Sequence, residues 1–285
     1  MLVFTLRILS LLPLRVLHAL GRLFGRLVYA LPGRYRNRLQ ANARQAGYDD
    51  PKFMRRAAAE TGAMIFENPK VWLREQAAVE RVEWMNPEVF EAAKAEGRGI
   101  LFLTPHLGCF EISARVVSHK YPLTVMFREP RQAFLNDLVQ FARNNSKMRA
   151  VSANTQGVRA FVKALKRGEG VGMLPDQVPG SGEGVWAPVF GRPAYTVTLP
   201  MRLASQTNVV VLMVAAERLP KGRGWRLHFV RVPEPLPTSA VEQATLINTA
   251  MESLIRRFPE QYLWSYNRYK GPGGASSTAA PKDDA

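Results

Sequence analysis

Short apolar runs at residues 100–104, 123–127 and 170–174 stand between segments whose apolar residues recur at helical spacing, and this alternation constrains the fold more than any other property of the 285-residue chain. Each run is strand-length and bounded by glycine or polar residues. Strands that alternate with helices pair in parallel through helical crossovers, so the pattern predicts an α/β fold with a largely parallel or mixed central sheet flanked by helices. Residues 34–72 read as helical, with Pro51 at a helix start. Residues 86–97 read as a capped helix, with Asn86 at the N-cap, Pro87 in the first turn and Gly97 after the end. A helix near 134–143 follows the second strand. Val158, Phe161, Val162 and Leu165 mark another before the third, and a last one spans about 239–257. Residues 208–215 and 225–232, split by Lys-Gly-Arg-Gly at 221–224, read as a hairpin at one edge of the sheet.

The first strand leads directly into Leu103-Thr-Pro-His-Leu-Gly-Cys-Phe-Glu111. His106 therefore sits just past a strand's carboxyl end, where open α/β sheets place their chemistry. An imidazole whose ordinary pKa is about 6.5 can take a proton from an alcohol if something fixes its other ring nitrogen, and Glu111 is placed to do so. The same spacing suits a core histidine followed by a surface glutamate at a helix start, and the residues alone leave both readings open. Cys109 is the chain's single cysteine, which excludes an internal disulfide and fits a reducing compartment. It admits a Cys-His nucleophile, although residues three apart on one turn pair poorly; the alternative is a small buried filler. His18, His119 and His228 are scattered, and no metal-ligand spacing occurs. The glycines at 180, 182 and 184 form no P-loop, since no Gly-Lys-Ser/Thr follows; they read as a mobile loop over a substrate or as a solvated connection.

A net charge of +16 implies a polyanionic neighbour. Eight arginines and no acidic residue precede Asp49, within and just after an apolar N-terminal segment. Nucleic-acid binders carry a reading motif or basic patches without long aliphatic runs, and neither is present. Arg7, Arg15, Arg22 and Arg26 interrupt residues 2–31, leaving no apolar stretch near the roughly 20 residues of a membrane span. At helical pitch these arginines and His18 share one stripe. That pattern predicts an amphipathic membrane helix lying in the interface with its arginines toward anionic headgroups, or a short span with snorkelling arginines. A helix packed on the domain itself fits the stripe too. Pro13 kinks this helix or starts it anew. The charges argue against a cleaved signal peptide. The domain expectation is a membrane-anchoring helical segment at 1–33, a catalytic domain at 34–270 and a disordered tail at 271–285.

His-Leu-Gly-Cys-Phe-Glu111 matches the H-x-x-x-x-D/E signature of the glycerolipid acyltransferase superfamily. Further blocks resemble the late acyltransferases of lipid A biosynthesis in Gram-negative bacteria: Phe127-Arg-Glu-Pro130, the downstream Arg143, Gly172-Met-Leu-Pro-Asp-Gln177, the glycines from Gly180 to Gly184, Phe190-Gly-Arg-Pro-Ala-Tyr195 and Pro259-Glu-Gln-Tyr-Leu-Trp-Ser-Tyr-Asn-Arg-Tyr-Lys270. The resemblance implies an O-acyltransferase that moves a fatty acyl group from an acyl-carrier-protein thioester to a hydroxyl of an anionic glycolipid acceptor. It would work at the cytoplasmic face of the cell inner membrane, with no metal or tightly held cofactor. By the same resemblance His106 and Glu111 are catalytic, and Arg143 and Asp176 bind substrate, Arg143 at a phosphate or oxyanion and Asp176 positioning a sugar hydroxyl or an arginine; Arg128, in a matching block beyond a strand, joins them as a substrate-binding candidate, and Arg268 reads as a further anion contact or as part of a helix-end salt bridge. The rival readings are an acyltransferase for another lipid acceptor (a lysophospholipid, ornithine lipid or other glycolipid), a Cys109-dependent thioesterase, and a non-catalytic membrane-binding protein.

Overall fold

The computed structural model describes residues 2–127 and 148–274, and β2 (Ile100–Leu103) lies at the centre of its sheet. On one side β2 pairs in parallel with β5 (Gly170–Met173), followed by β3 (Leu123–Phe127) and β4 (Arg149–Ser152). On the other side it pairs in parallel with β8 (Val210–Arg218), which turns back antiparallel into β9 (Trp225–Arg231). The expected edge hairpin is therefore inside the sheet, because the three-residue β1 (Val82–Trp84) pairs in parallel with β9 and takes the edge. The architecture is a mixed α/β fold with a seven-stranded, mostly parallel sheet. A separate antiparallel pair, β6 (Gly184–Val189) and β7 (Arg192–Val197), follows β5.

Both faces of the sheet are covered, which is why its central strands are continuous apolar runs. Leu101, Leu103, Val171 and Met173 point to one core, packed under Phe161 of α8 (Thr155–Lys166) and Met251 of α10 (Ala240–Ile255). Ile100 and Phe102 point to the other, with Phe90 of α6 (Pro87–Ala95) and Ile112 and Val116 of α7 (Phe110–Ser118). Asn154 caps α8 by accepting from the Gly157 amide at 3.0 Å. Asn86 precedes α6 as expected but makes no side-chain cap. Its amide instead donates to Phe229 O at 2.6 Å and accepts from Phe229 N at 2.9 Å, pinning α6 to β9. The helix expected near 134–143 lies outside the described residues, as does 275–285 of the expected tail.

Pro13 divides the N-terminal segment into α1 (Leu2–Leu11) and α2 (Leu14–Ala30); α3 (Arg34–Gln45) and α4 (Pro51–Leu73) follow. Asp50 caps α4 by accepting from the Lys52 and Phe53 amides. The arginine stripe does not face outward as a unit. His18 is fully buried, and Arg22 bonds Glu60 of α4 at 2.6 Å, while Arg15 and Arg26 stay exposed. The reason is that α4 carries the buried Glu67 and the half-buried Glu60, whose carboxylates recruit those members of the stripe. The exposed side of α2 is instead rich in apolar residues: Leu20, Leu23, Phe24 and Leu27. Among the described residues no helix is long and apolar enough to cross a membrane.

Small residues allow α2 and α4 to lie this close. A Cβ on Gly25 would stand 2.1 Å from Ala58 O, and one on Gly62 would stand 2.0 Å from Gly21 O, so neither position has room for a methyl group. Gly62→Ala should therefore cost about 1 to 3 kcal/mol by forcing the helices apart. Denaturant unfolding of the purified protein in detergent checks this, and an unchanged midpoint contradicts the close packing.

Candidate active site

The sheet register builds the site. Leu103 of β2 is opposite Met173 of β5, and the Thr104 amide extends the pairing by donating to Met173 O at 3.1 Å. His106 and Asp176 lie three residues beyond those partners, so two side chains 70 residues apart arrive at the same level at the sheet's carboxyl end. Asp176 holds His106 twice. One carboxylate oxygen accepts from the His106 backbone amide at 2.8 Å, and the other lies 2.8 Å from the imidazole Nδ1.

The electrostatics follow from this contact. Burial alone would lower the imidazole's pKa, but the Asp176 carboxylate, with Glu111 adding its field, raises it above the ordinary value. Burial likewise opposes ionisation of Asp176, yet the bonds from His106 and the nearby Arg268 charge hold its carboxyl below the usual range. With Asp176 accepting at Nδ1, the neutral ring carries its proton there and turns Nε2 outward as the acceptor. The Gln177 amide stands 3.2 Å from that Nε2, and the Phe110 ring lies 4.7 Å from the imidazole centroid. The site thus presents an oriented base. Among the described residues no group of three or more His, Cys, Asp or Glu side chains could hold a metal ion.

The loop after His106 is stitched down on both sides. Gly108 adopts φ +61, and a Cβ there would meet Ala216 O at 1.9 Å, so a glycine is required. The Gly108 amide donates to Gln261 O at 3.0 Å, the Cys109 amide to Ala216 O at 2.8 Å, and the Leu263 amide to His106 O at 3.0 Å.

The expected site residues meet different fates. Glu111 starts α7 close enough to act on His106 electrostatically. Its carboxylate, however, accepts from Trp72 Nε1 at 3.0 Å and Arg115 at 3.1 Å, so the imidazole's hydrogen-bond partner is Asp176. The Asp176 side chain accordingly points at the histidine rather than outward toward a sugar hydroxyl. Arg268 is neither an open anion contact nor a helix-end salt bridge. Its buried guanidinium donates to Tyr195 O at 2.8 Å and Thr196 Oγ1 at 2.7 Å, tying the C-terminal block to β7, and burial lowers its pKa. Arg128 and Arg143 lie outside the described residues. Cys109 is buried, and burial together with the neighbouring Glu67 charge pushes its thiol well above the ordinary range; a buried neutral thiol is a poor nucleophile. The Gly180–Gly184 turn is held by the Tyr195 hydroxyl, which accepts from the Gly182 and Gly184 amides at 3.2 Å.

Sequence reasoning missed Gln177 and Tyr262. The Tyr262 phenol, buried beside Asp176, is kept protonated by that burial and by the carboxylate's charge. Both lie in the blocks at 172–177 and 259–270, and Gln177 is the polar neighbour of Asp176 just past a strand end.

The family model for bacterial lipid A biosynthesis acyltransferases matches residues 1–271. The chain belongs to that family. It is 28% identical over 223 residues to the lipid A biosynthesis palmitoleoyltransferase of Escherichia coli (strain K12), covering 76% of this chain and 71% of that one. It is 26% identical over 268 residues to the lauroyltransferase of the same organism, covering 91% and 87%. The corresponding myristoyltransferase is 25% identical over 195 residues, covering 65% and 57%. These relatives differ in the acyl group that they are named for, and family membership makes this chain an acyltransferase of lipid A biosynthesis.

A neutral base works above its own pKa, so with His106 in that role activity should rise with pH across the imidazole's pKa, which Asp176 raises above the ordinary value. Asp176→Asn removes the charge that raises it and leaves the burial that lowers it. The acid limb of the kcat/KM profile should move to lower pH while the plateau falls by about 10²-fold or more. An acid limb that does not move would contradict this pairing.

Proposed function

We propose that the protein transfers a fatty acyl group from an acyl-carrier-protein thioester to a hydroxyl of a lipid A precursor, with His106 as the general base. The observation that carries this reading is the 2.8 Å contact between Asp176 and His106 Nδ1, which leaves Nε2 as the acceptor at the sheet's open end. The acceptor hydroxyl gives its proton to Nε2 as its oxygen attacks the thioester carbonyl carbon. The tetrahedral intermediate collapses, the C–S bond breaks, and the carrier's sulfur takes the proton back from the imidazolium. Asp176 fixes the ring and stabilises the imidazolium, and Glu111 adds negative potential. Arg143 and Arg128 are assigned to the anionic groups of the substrates. No acyl-enzyme forms, in keeping with the buried Cys109.

The net charge of +16 suits an acidic carrier and a phosphorylated glycolipid, and the carrier places the work at the cytoplasmic face of the inner membrane. The exposed Leu20, Leu23, Phe24 and Leu27 of α2 seat the protein in that membrane. Replacing Leu23, Phe24 and Leu27 together by serine should release the protein from anionic vesicles while it stays folded; undiminished sedimentation with vesicles would move the anchoring elsewhere.

Purified protein given acyl carrier thioester should acylate a lipid A precursor and leave a lysophospholipid unreacted, read by mass spectrometry of the lipids. His106→Ala should lower turnover by about 10² to 10⁴-fold. Cys109→Ala should keep most activity and carry no acyl adduct. Preference for the lysophospholipid would overturn the acceptor, and near-native turnover in His106→Ala would overturn the mechanism.

A further inference from the structure

Glu67, on α4, is fully buried at a junction of four elements. One carboxylate oxygen accepts from His18 Nε2 of α2 at 2.9 Å, from Trp225 Nε1 of β9 at 3.0 Å and from Arg218 Nε of β8 at 2.9 Å; the other accepts from Arg218 Nη2 at 2.5 Å. The remaining Arg218 nitrogen bonds Glu60 at 2.8 Å, which also takes Arg22 of α2 at 2.6 Å. Burial keeps His18 neutral, so two guanidinium groups balance two carboxylates.

Arg218 carries this cluster into the catalytic loop. Its Nη2 lies 3.3 Å from Gly108 O. Its backbone amide and carbonyl hold the Gln261 side chain, at 2.7 and 3.1 Å, and Gln261 O in turn receives the Gly108 amide. Both residues on the far side of Leu107 from His106 are thus fixed by Arg218 or by the strand that bears it. A buried ion pair adds little stability over apolar side chains of the same volume. What it supplies is direction, because each donor must arrive at a set angle. The cluster even tolerates the buried, unpartnered Nδ1 of His18 among the described residues, a cost that a leucine in its place would not carry.

We propose that Glu67 is a positioning residue for the reaction, setting the backbone that follows His106 through Arg218, with α2 packed against α4 completing its set of partners. The inference rests on the reading of His106 as the base. It makes α2 part of the catalytic framework as well as the membrane-seated element, so that loss of its seat loosens the site.

The test uses full-length protein in micelles, with amide hydrogen exchange read residue by residue and kinetics measured on the same samples. In Glu67→Gln, exchange at Gly108 and Cys109 should accelerate about tenfold or more, while Val171 and Met173 of β5 stay within about twofold of native. Turnover should fall by about 10²-fold with KM for donor and acceptor unchanged, and Glu67→Asp should recover part of it. Should Glu67→Gln fail to fold, His18→Ala, which keeps the Arg218 and Trp225 bonds, should give the same local acceleration to a smaller extent. Native exchange at Gly108 and Cys109, or equal acceleration in β5, would overturn the positioning role and leave Glu67 as a stabilising residue alone. Failure of the general-base reading is distinguishable, since His106→Ala would then retain turnover whatever the exchange shows.

Discussion

The parallel pairing of β2 with β5 is the constraint on which the rest of the site depends. Neither strand exceeds four residues, and each is held on both sides by further strands, so its ladder is satisfied and its register cannot slip without turning apolar side chains out of two cores at once. That register brings His106 level with Asp176. A shift of one residue would carry the carboxylate past the ring and leave a buried charge unpaired, an expensive outcome in a low-dielectric interior. Packing of the two cores and the chemistry of one imidazole are therefore settled together.

The region behind this pair is costly to build. Four charged groups, Glu60, Glu67, Arg22 and Arg218, are removed largely or wholly from water between α2, α4 and β8. Such a cluster survives only where nearly every lone pair and proton has a partner, and burial drives the Glu67 carboxyl and Arg218 guanidinium to depend on each other. The helix carrying His18 and Arg22 buries Leu14, Leu17 and His18 against the domain and leaves Leu20, Leu23, Phe24 and Leu27 exposed beside Arg15 and Arg26. Exposed apolar side chains flanked by arginines are the pattern of a helix that can lie at a membrane surface.

The parts of the fold legible in the sequence are those whose signal is local. Residues 100–104, 123–127 and 170–174 are apolar runs because both sides of the sheet are covered, and the structure has strands there. The three-residue β1 and the partly exposed β4 lack such a run, and prolines inside β6 and β7 argue against strands there. His106 and Glu111 were conspicuous because they are neighbours in sequence. The bond between His106 and Asp176 was not, because it depends on strand order, and spacing along the chain carries no information about which strands adjoin. Periodicity likewise placed His18 and Arg22 on one stripe without saying which way it faces. The available signal lay in α4, where Glu60 and Glu67, two turns apart on one face among Ala57, Ala58, Ala59, Gly62 and Ala63, mark a close helix contact in need of cationic partners.

The tautomer of His106 tests the central claim most directly. With only four histidines in the chain, nitrogen-15 labelling of the imidazoles allows each ring to be assigned by substitution and its two nitrogens to be read separately. Above its pKa, the His106 ring should show a protonated, hydrogen-bonded Nδ1 and an unprotonated Nε2, with the Nδ1 signal losing its hydrogen-bond signature in Asp176→Asn. A neutral ring protonated at Nε2, or an Nδ1 signal indifferent to Asp176, would mean that the carboxylate does not hold the base and that the account of the site is wrong.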